Sequence, residues 1–174
     1  MAILMFVARI SNIRSSLYRK QQRLTQIVQK IADLQQYAAS IGDGAVSLEE
    51  LGNTPGSMFG RMYQFIVNSH DAAFMQSKQM FQDPGFQAML GRQTQGMNPQ
   101  DLAHYQAWMQ QNLYFQARER IGKMEAQRLN AEEKKLVAEK DKLETSIKME
   151  EADLKSAIDA RDKGIEQFAP KYTG

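Results

Sequence analysis

Apolar side chains recur on a seven-residue period through the first forty-one positions. Ile3, Ile10, Leu17, Leu24, Ile31 and Ala38 share one heptad position; Phe6, Ile13, Lys20, Ile27, Leu34 and Ile41 share the position three residues later. Only Lys20 breaks the apolar rule, so the spacing predicts a helix over 1–41 with a coiled-coil seam along one face. Arg9, Arg23 and Lys30 fall at g and Arg14 at e, where they flank the seam and select a partner by charge. Lys20 itself reads as a lysine whose stem packs while its ammonium reaches out to water, the alternative being a polar core residue that fixes register at some cost in stability. Gly42, Asp43 and Gly44 end the helix, since Gly accepts the left-handed position past a helix C-terminus.

Ser47 and Glu50 have capping-box spacing, and Thr54 before Pro55 places a good N-cap ahead of a proline at the first helical position, so a second helix is expected over 55–82. Its apolar residues, among them Met58, Phe59, Met62, Phe65, Ile66, Phe74, Met80 and Phe81, cover more than one face, and such a helix needs neighbours on several sides. Asp83, Pro84 and Gly85 read as a turn that opens a loop over 83–98. Asn98 and Pro99 then start a third helix over 99–169, with no proline again until Pro170. Its first third is aromatic; beyond Arg118 the pairs Leu143/Ile147, Leu154/Ile158 and Ile165/Ala169 repeat every eleven residues. Glu144 with Lys148, Glu151 with Lys155 and Asp159 with Lys163 are spaced as helical ion pairs, worth about 0.2 to 0.5 kcal/mol each.

At 1.5 Å per residue the first helix would span about 60 Å, the second about 40 Å and the third about 100 Å, so the first two together match the third. The expected fold is all-α: an elongated antiparallel helical hairpin or coiled coil, a single unit over 1–174 in which two shorter helices pack along one long C-terminal helix.

Composition fits this reading. The 174 residues include twenty Gln and eleven Met but only four Pro and no Cys, a mix that favours continuous helix. The absence of Cys removes disulfides, thiol nucleophiles and thiolate metal sites. Net charge is +2, unevenly spread: residues 1–41 carry six basic groups against one acidic, whereas 42–116 carry three against six. The apolar start lacks the basic lead and the small-residue cleavage site of a secretory signal, and no stretch is long and apolar enough to span a bilayer. These features suggest a cytoplasmic protein or one exported by a non-classical, type III-like route.

Chemistry is sparse. His70 and His104 stand in no metal-binding pattern, and Ser69, His70 and Asp71 are helix neighbours pointing about 100° apart, which prevents a catalytic relay among them. Paired acids such as Glu132 and Glu133 lie in an alternating charge run with no apolar pocket to raise a pKa. No catalytic residue, cofactor or metal is therefore assigned. Nucleic acid is disfavoured as a partner because the basic groups of the first helix are accounted for by the seam, and a membrane surface because Ile3 and Phe6 are already seam residues.

Terminal helices paired around a central insert, without cysteine or a cleaved signal, form a layout that resembles flagellins and type III secreted filament subunits. The likeness is one of layout, and it implies self-assembly. The functional expectation is a non-enzymatic structural protein that associates with itself into an oligomer or filament. Its seam would use Ile10, Ile13, Leu17, Leu24, Ile27, Ile31 and Leu34, and its inter-subunit contact Phe59, Phe65, Ile66, Phe74 and Phe81. The alternative is an adaptor or chaperone-like module whose Met-rich helix receives another helical protein.

Overall fold

A computed structural model describes residues 2–41 and 51–168, with side chains over 4–41 and 51–167. The fold is all-α, a long C-terminal helix packed against shorter helices, with no strand among the described residues. The helices are α1 (Ala2–Ile41), α2 (Phe59–Gln82), α3 (Pro84–Gln93) and α4 (Pro99–Phe168). They form two compact units, one of Met1–Ala32 with Lys134–Gly174 and one of Asp33–Glu133. The Gly42–Gly44 stop, the Ser47–Glu50 capping box and Ala169 lie outside the described residues.

In the first unit, α1 runs antiparallel to α4. Arg9 bonds Asp153 at 2.5 Å, Lys20 bonds Glu150 at 2.7 Å and Arg23 bonds Glu139 at 2.9 Å, so partner numbers fall as α1 numbers rise. Every heptad position of α1 with a described side chain is buried or half-buried. Ile10, Leu17 and Ile27 meet a stripe on α4 that includes the buried Ile147 and Ala157 and the half-buried Leu143, Leu154 and Ile158. The eleven-residue repeat thus faces inward for two of its pairs, while Ile165 in the third stands 49% exposed. Of the anticipated helical ion pairs, Glu144 instead lies 3.6 Å from Lys140, one turn towards the N-terminus.

Lys20 departs from expectation. Its ammonium does not extend to bulk water: at a core position of the heptad it donates to Glu150 at 2.7 Å and to Ser146 Oγ at 2.6 Å. Acceptors on α4 lie within reach there, and a half-buried ammonium is better satisfied by a carboxylate than stretched past the apolar rim.

The second unit is built on Leu34, Tyr37 and Ile41 at the end of α1, Met62 and Ala73 of α2, Leu90 of α3, and Leu113, Ala117 and Leu129 of α4, all buried. Ser69, Ala73 and Ser77, spaced by four, lie on the buried face of α2. Both hydroxyls bond back to the helix, Ser69 to Ile66 O and Ser77 to Phe74 O, so neither is left unsatisfied. Arg61 with Glu125 and His70 with Tyr114 show that α2 also runs antiparallel to α4.

Two boundaries differ from those expected. α2 starts at Phe59, not Pro55, because residues 53–58 are tied back to α1: Gln36 donates to Asn53 O and Ser57 to Asp33 Oδ2, and the Met58 N–H closes a turn onto Pro55 O at 2.8 Å. The stretch 83–98, expected to be loop, contains the ten-residue α3. Asp83 caps it by accepting from the Phe86 N–H at 3.0 Å, Pro84 takes the first helical position, and Leu90 is buried in the core. Only Asp83 and 94–98 lie outside helix there, with a turn over 94–96 in which Gly96 has φ +93°. Asn98 then caps α4 as anticipated, accepting from the Asp101 N–H at 2.8 Å, and α4 continues through Gly122 without a break.

Candidate interaction surface

Helical spacing places Phe59, Tyr63, Val67, His70 and Phe74 on one stripe of α2, next to the buried face formed by Met62, Ser69, Ala73 and Ser77. Phe59, Tyr63, Val67 and Phe74 are between 43% and 54% exposed. His70 Nδ1 lies 2.7 Å from the Tyr114 hydroxyl of α4, and the two rings meet edge to face. Below this pair a solvent-open groove is lined by Phe74, Ser77, Ala107, Gln111 and Tyr114. Tyr114 in turn touches Phe115, and the Tyr105 ring lies beside Trp108, so aromatic rings continue along α4.

Along α4, seven-residue steps join Trp108, Phe115, Gly122 and Leu129. Gly122 and Leu129 are buried, near the register at which Gln35, close to the end of α1, bonds Glu133. Phe115 and Trp108, one and two heptads earlier, stand 55% exposed. The stripe that is covered near the end of α1 therefore continues uncovered beyond it. Together the two stripes make an apolar, ring-rich surface confined to the second unit. Large exposed apolar surfaces of this kind mark association sites on soluble proteins.

The residues expected to carry association divide accordingly. Ile10, Leu17, Ile27 and Leu34 are buried and Ile13, Leu24 and Ile31 half-buried within the chain itself. Of the inter-subunit candidates, Phe59 and Phe74 are exposed, while Phe65, Ile66 and Phe81 are half-buried. Phe65 lines the opposite flank of the α2–α4 pair together with Ala72, Ile121 and Met124. Phe81 packs against Phe86 of α3, a neighbour that a loop there would not have supplied. Trp108 and Phe115 stand exposed, and the seven-residue step back from Leu129 is the signal in the sequence that groups them.

Beside this surface lies a charged node. The Arg61 guanidinium bonds Glu125 at 3.0 Å and Glu132 at 2.7 Å and sits 5.7 Å from the centre of the Tyr37 ring. Burial pulls the Arg61 pKa down, but the bonds it donates to Glu132 and Glu125 outweigh this and leave the value raised. Tyr37 is wholly buried and its hydroxyl has no hydrogen-bond partner among the described residues. Burial, then the charge of Glu125, push its pKa up to about 12 against the opposing pull of Arg61. This node ties α1, α2 and α4 together inside the unit. Of the two histidines, His70 is engaged by Tyr114 and His104 is exposed on α4. Among the described residues no three His, Asp or Glu side chains converge as a metal site would require, and no helix is long and apolar enough to cross a membrane.

The chain matches no family model, no curated protein and no solved structure in comparison with known proteins.

Proposed function

We propose that this chain is a non-enzymatic structural protein that associates with copies of itself, with α1 and α4 paired as an antiparallel coiled coil in the first unit and the aromatic surface of the second unit as the contact. The observation that carries the reading is the uncovered continuation of the α4 stripe at Trp108 and Phe115, beside the α2 stripe of Phe59, Tyr63, Val67 and Phe74. Full burial of such a side chain contributes roughly 1.5 to 3 kcal/mol. Half-exposed ones recover about half of that, so six give roughly 5 to 9 kcal/mol against the cost of association. The balance favours an assembly that responds to concentration over a permanent one.

Light scattering on the wild type and on Phe74→Ser tests this, with Val28→Ala as a control, since Val28 is about half-exposed like Phe74 but lies on α1. Assembly that rises with concentration, weakens in Phe74→Ser and persists in the control supports the reading. The adaptor reading finds its support in the groove between α2 and α3, lined by Met80, Phe86 and Met89, whose flexible thioethers suit a varied partner. A wild type that stays monomeric throughout leaves that reading in place of self-association.

A further inference from the structure

Self-association can pair like surfaces, with the same patch meeting itself across a two-fold axis, or unlike ones. Charge separates the two possibilities. Residues 33–133 carry seven basic and eleven acidic groups, a net of −4, whereas 1–32 with 134–174 carry fifteen basic and nine acidic, a net of +6. Two acidic second units brought face to face repel; a second unit facing the first unit of another copy attracts. On the aromatic surface Asp71 and Asp101 are exposed, against Lys78, while the exposed Glu119 is paired with Lys123 at 2.6 Å.

The first unit has a surface of the complementary kind. Leu4, Val7, Ser11 and Tyr18 share the side of α1 turned away from α4, at helical spacings of three, four and seven. Leu4 is 74%, Val7 49% and Tyr18 63% exposed, which sets them apart from the heptad positions that α4 covers. Arg14 and Arg19 flank Tyr18 and join it in lining a shallow surface depression. An apolar stripe with basic borders thus lies on the one unit, and an apolar stripe with acidic borders on the other.

We propose that copies associate through unlike surfaces, the α1 stripe of Leu4, Val7 and Tyr18 on one copy packing against Trp108, Phe115 and Phe74 on the next. The inference rests on the self-association reading and adds the partner surface to it. Because each copy keeps one free surface of each kind, such a contact does not close on a pair and propagates until geometry closes a ring or supply ends.

Complementation between two defective variants is the test. Leu4→Ser/Tyr18→Ser removes the donor stripe and Trp108→Ser/Phe115→Ser the acceptor stripe; all four side chains are exposed, and circular dichroism verifies that each variant keeps its helix content. Each variant alone is expected to associate at least about tenfold more weakly than the wild type. An equimolar mixture is expected to form a one-to-one complex that stops at two chains, since one intact donor meets one intact acceptor. Raising salt from about 0.05 to about 0.5 M is expected to weaken both that complex and the wild-type assembly. If the wild type assembles but the donor variant assembles equally well, or the mixture gives no complex, the contact between unlike surfaces is refuted while self-association stands. A wild type that stays monomeric refutes self-association itself and this contact with it.

Discussion

Lys20 of α1 and Glu150 of α4 are joined by a 2.7 Å hydrogen-bonded ion pair at a core position of the heptad, both about one-quarter exposed. Ser146 accepts a second bond from the ammonium, and Ser16 donates to the same carboxylate oxygen at 2.9 Å. The single polar residue in an otherwise apolar stripe is thus met by a polar cluster on the facing helix. A shift of α1 by one heptad would set Lys20 against other α4 residues and Glu150 against apolar ones, so the pair favours one register.

The pair makes acid stability sensitive to Lys20. The bond from Lys20 is the largest influence on the Glu150 carboxyl; burial opposes it, the bond from Ser16 adds to it, and the net effect lowers the pKa below the ordinary 4.5. A carboxyl with a lowered folded-state pKa contributes stability that is present above its unfolded value and is lost as pH falls through the folded one. Lys20→Met is therefore expected to melt below the wild type near neutral pH, with the gap narrowing as pH falls from about 5 to about 3. Thermal melts across that range check this; a gap independent of pH would show that the pair does not set the Glu150 titration.

Tyr37 predicts the opposite limb. Its raised pKa, about 12 against an ordinary 10.0, means that the unfolded chain ionises before the folded one, so stability is full below about pH 10 and falls as pH rises towards 12. Tyr37→Phe removes that loss. It also removes a buried hydroxyl that has no partner among the described residues, whose desolvation carries a penalty of about 1 to 3 kcal/mol. The variant is expected to equal or exceed the wild type in melting temperature at pH 7 and to gain further at about pH 11. Lower stability at pH 7 would mean that the hydroxyl is bonded after all.

Ile27 and Val28 are adjacent on α1, yet Ile27 is 0% and Val28 47% exposed. Ile27→Ala should cost about 2 to 5 kcal/mol in urea unfolding, through lost burial and the cavity left behind. Val28→Ala should stay within about 0.5 kcal/mol. Similar losses at the two positions would contradict the inward direction of the heptad.

The direction of each heptad position with a described side chain was legible because burial on a helix repeats with the helix period, and the start of α4 because Asn98–Pro99 is a local signal. The helix α3 was not, since Asp–Pro–Gly opens a turn or caps a helix equally well, and what decides is Leu90 reaching a core that only tertiary packing supplies. Lys20 eluded the reading for the same reason, as its acceptors lie 126 and 130 residues away. The candidate surface was half legible. Surplus apolar residues on α2 were evident, but which of them face water depends on where α4 and α3 lie, so Phe59 and Phe74 emerged exposed while Phe65, Ile66 and Phe81 turned inward.

Asp83 supplies a local check on α3. Asp83→Ala removes the cap at the Phe86 N–H and should cost about 0.5 to 2 kcal/mol. Because Phe86 packs on Phe81 of α2, hydrogen exchange should rise in residues 84–93 before it rises in α4. Exchange unchanged in that segment would indicate that burial of Leu90, not the cap, holds α3.

Sedimentation equilibrium of the wild-type chain from about 1 µM to about 500 µM tests self-association most directly, over the range that half-exposed aromatic contacts imply. The account predicts an average mass that climbs above the 19.8 kDa of one chain as concentration rises, and that falls back towards it in Trp108→Ser/Phe115→Ser. A mass fixed at 19.8 kDa across the whole range would contradict it.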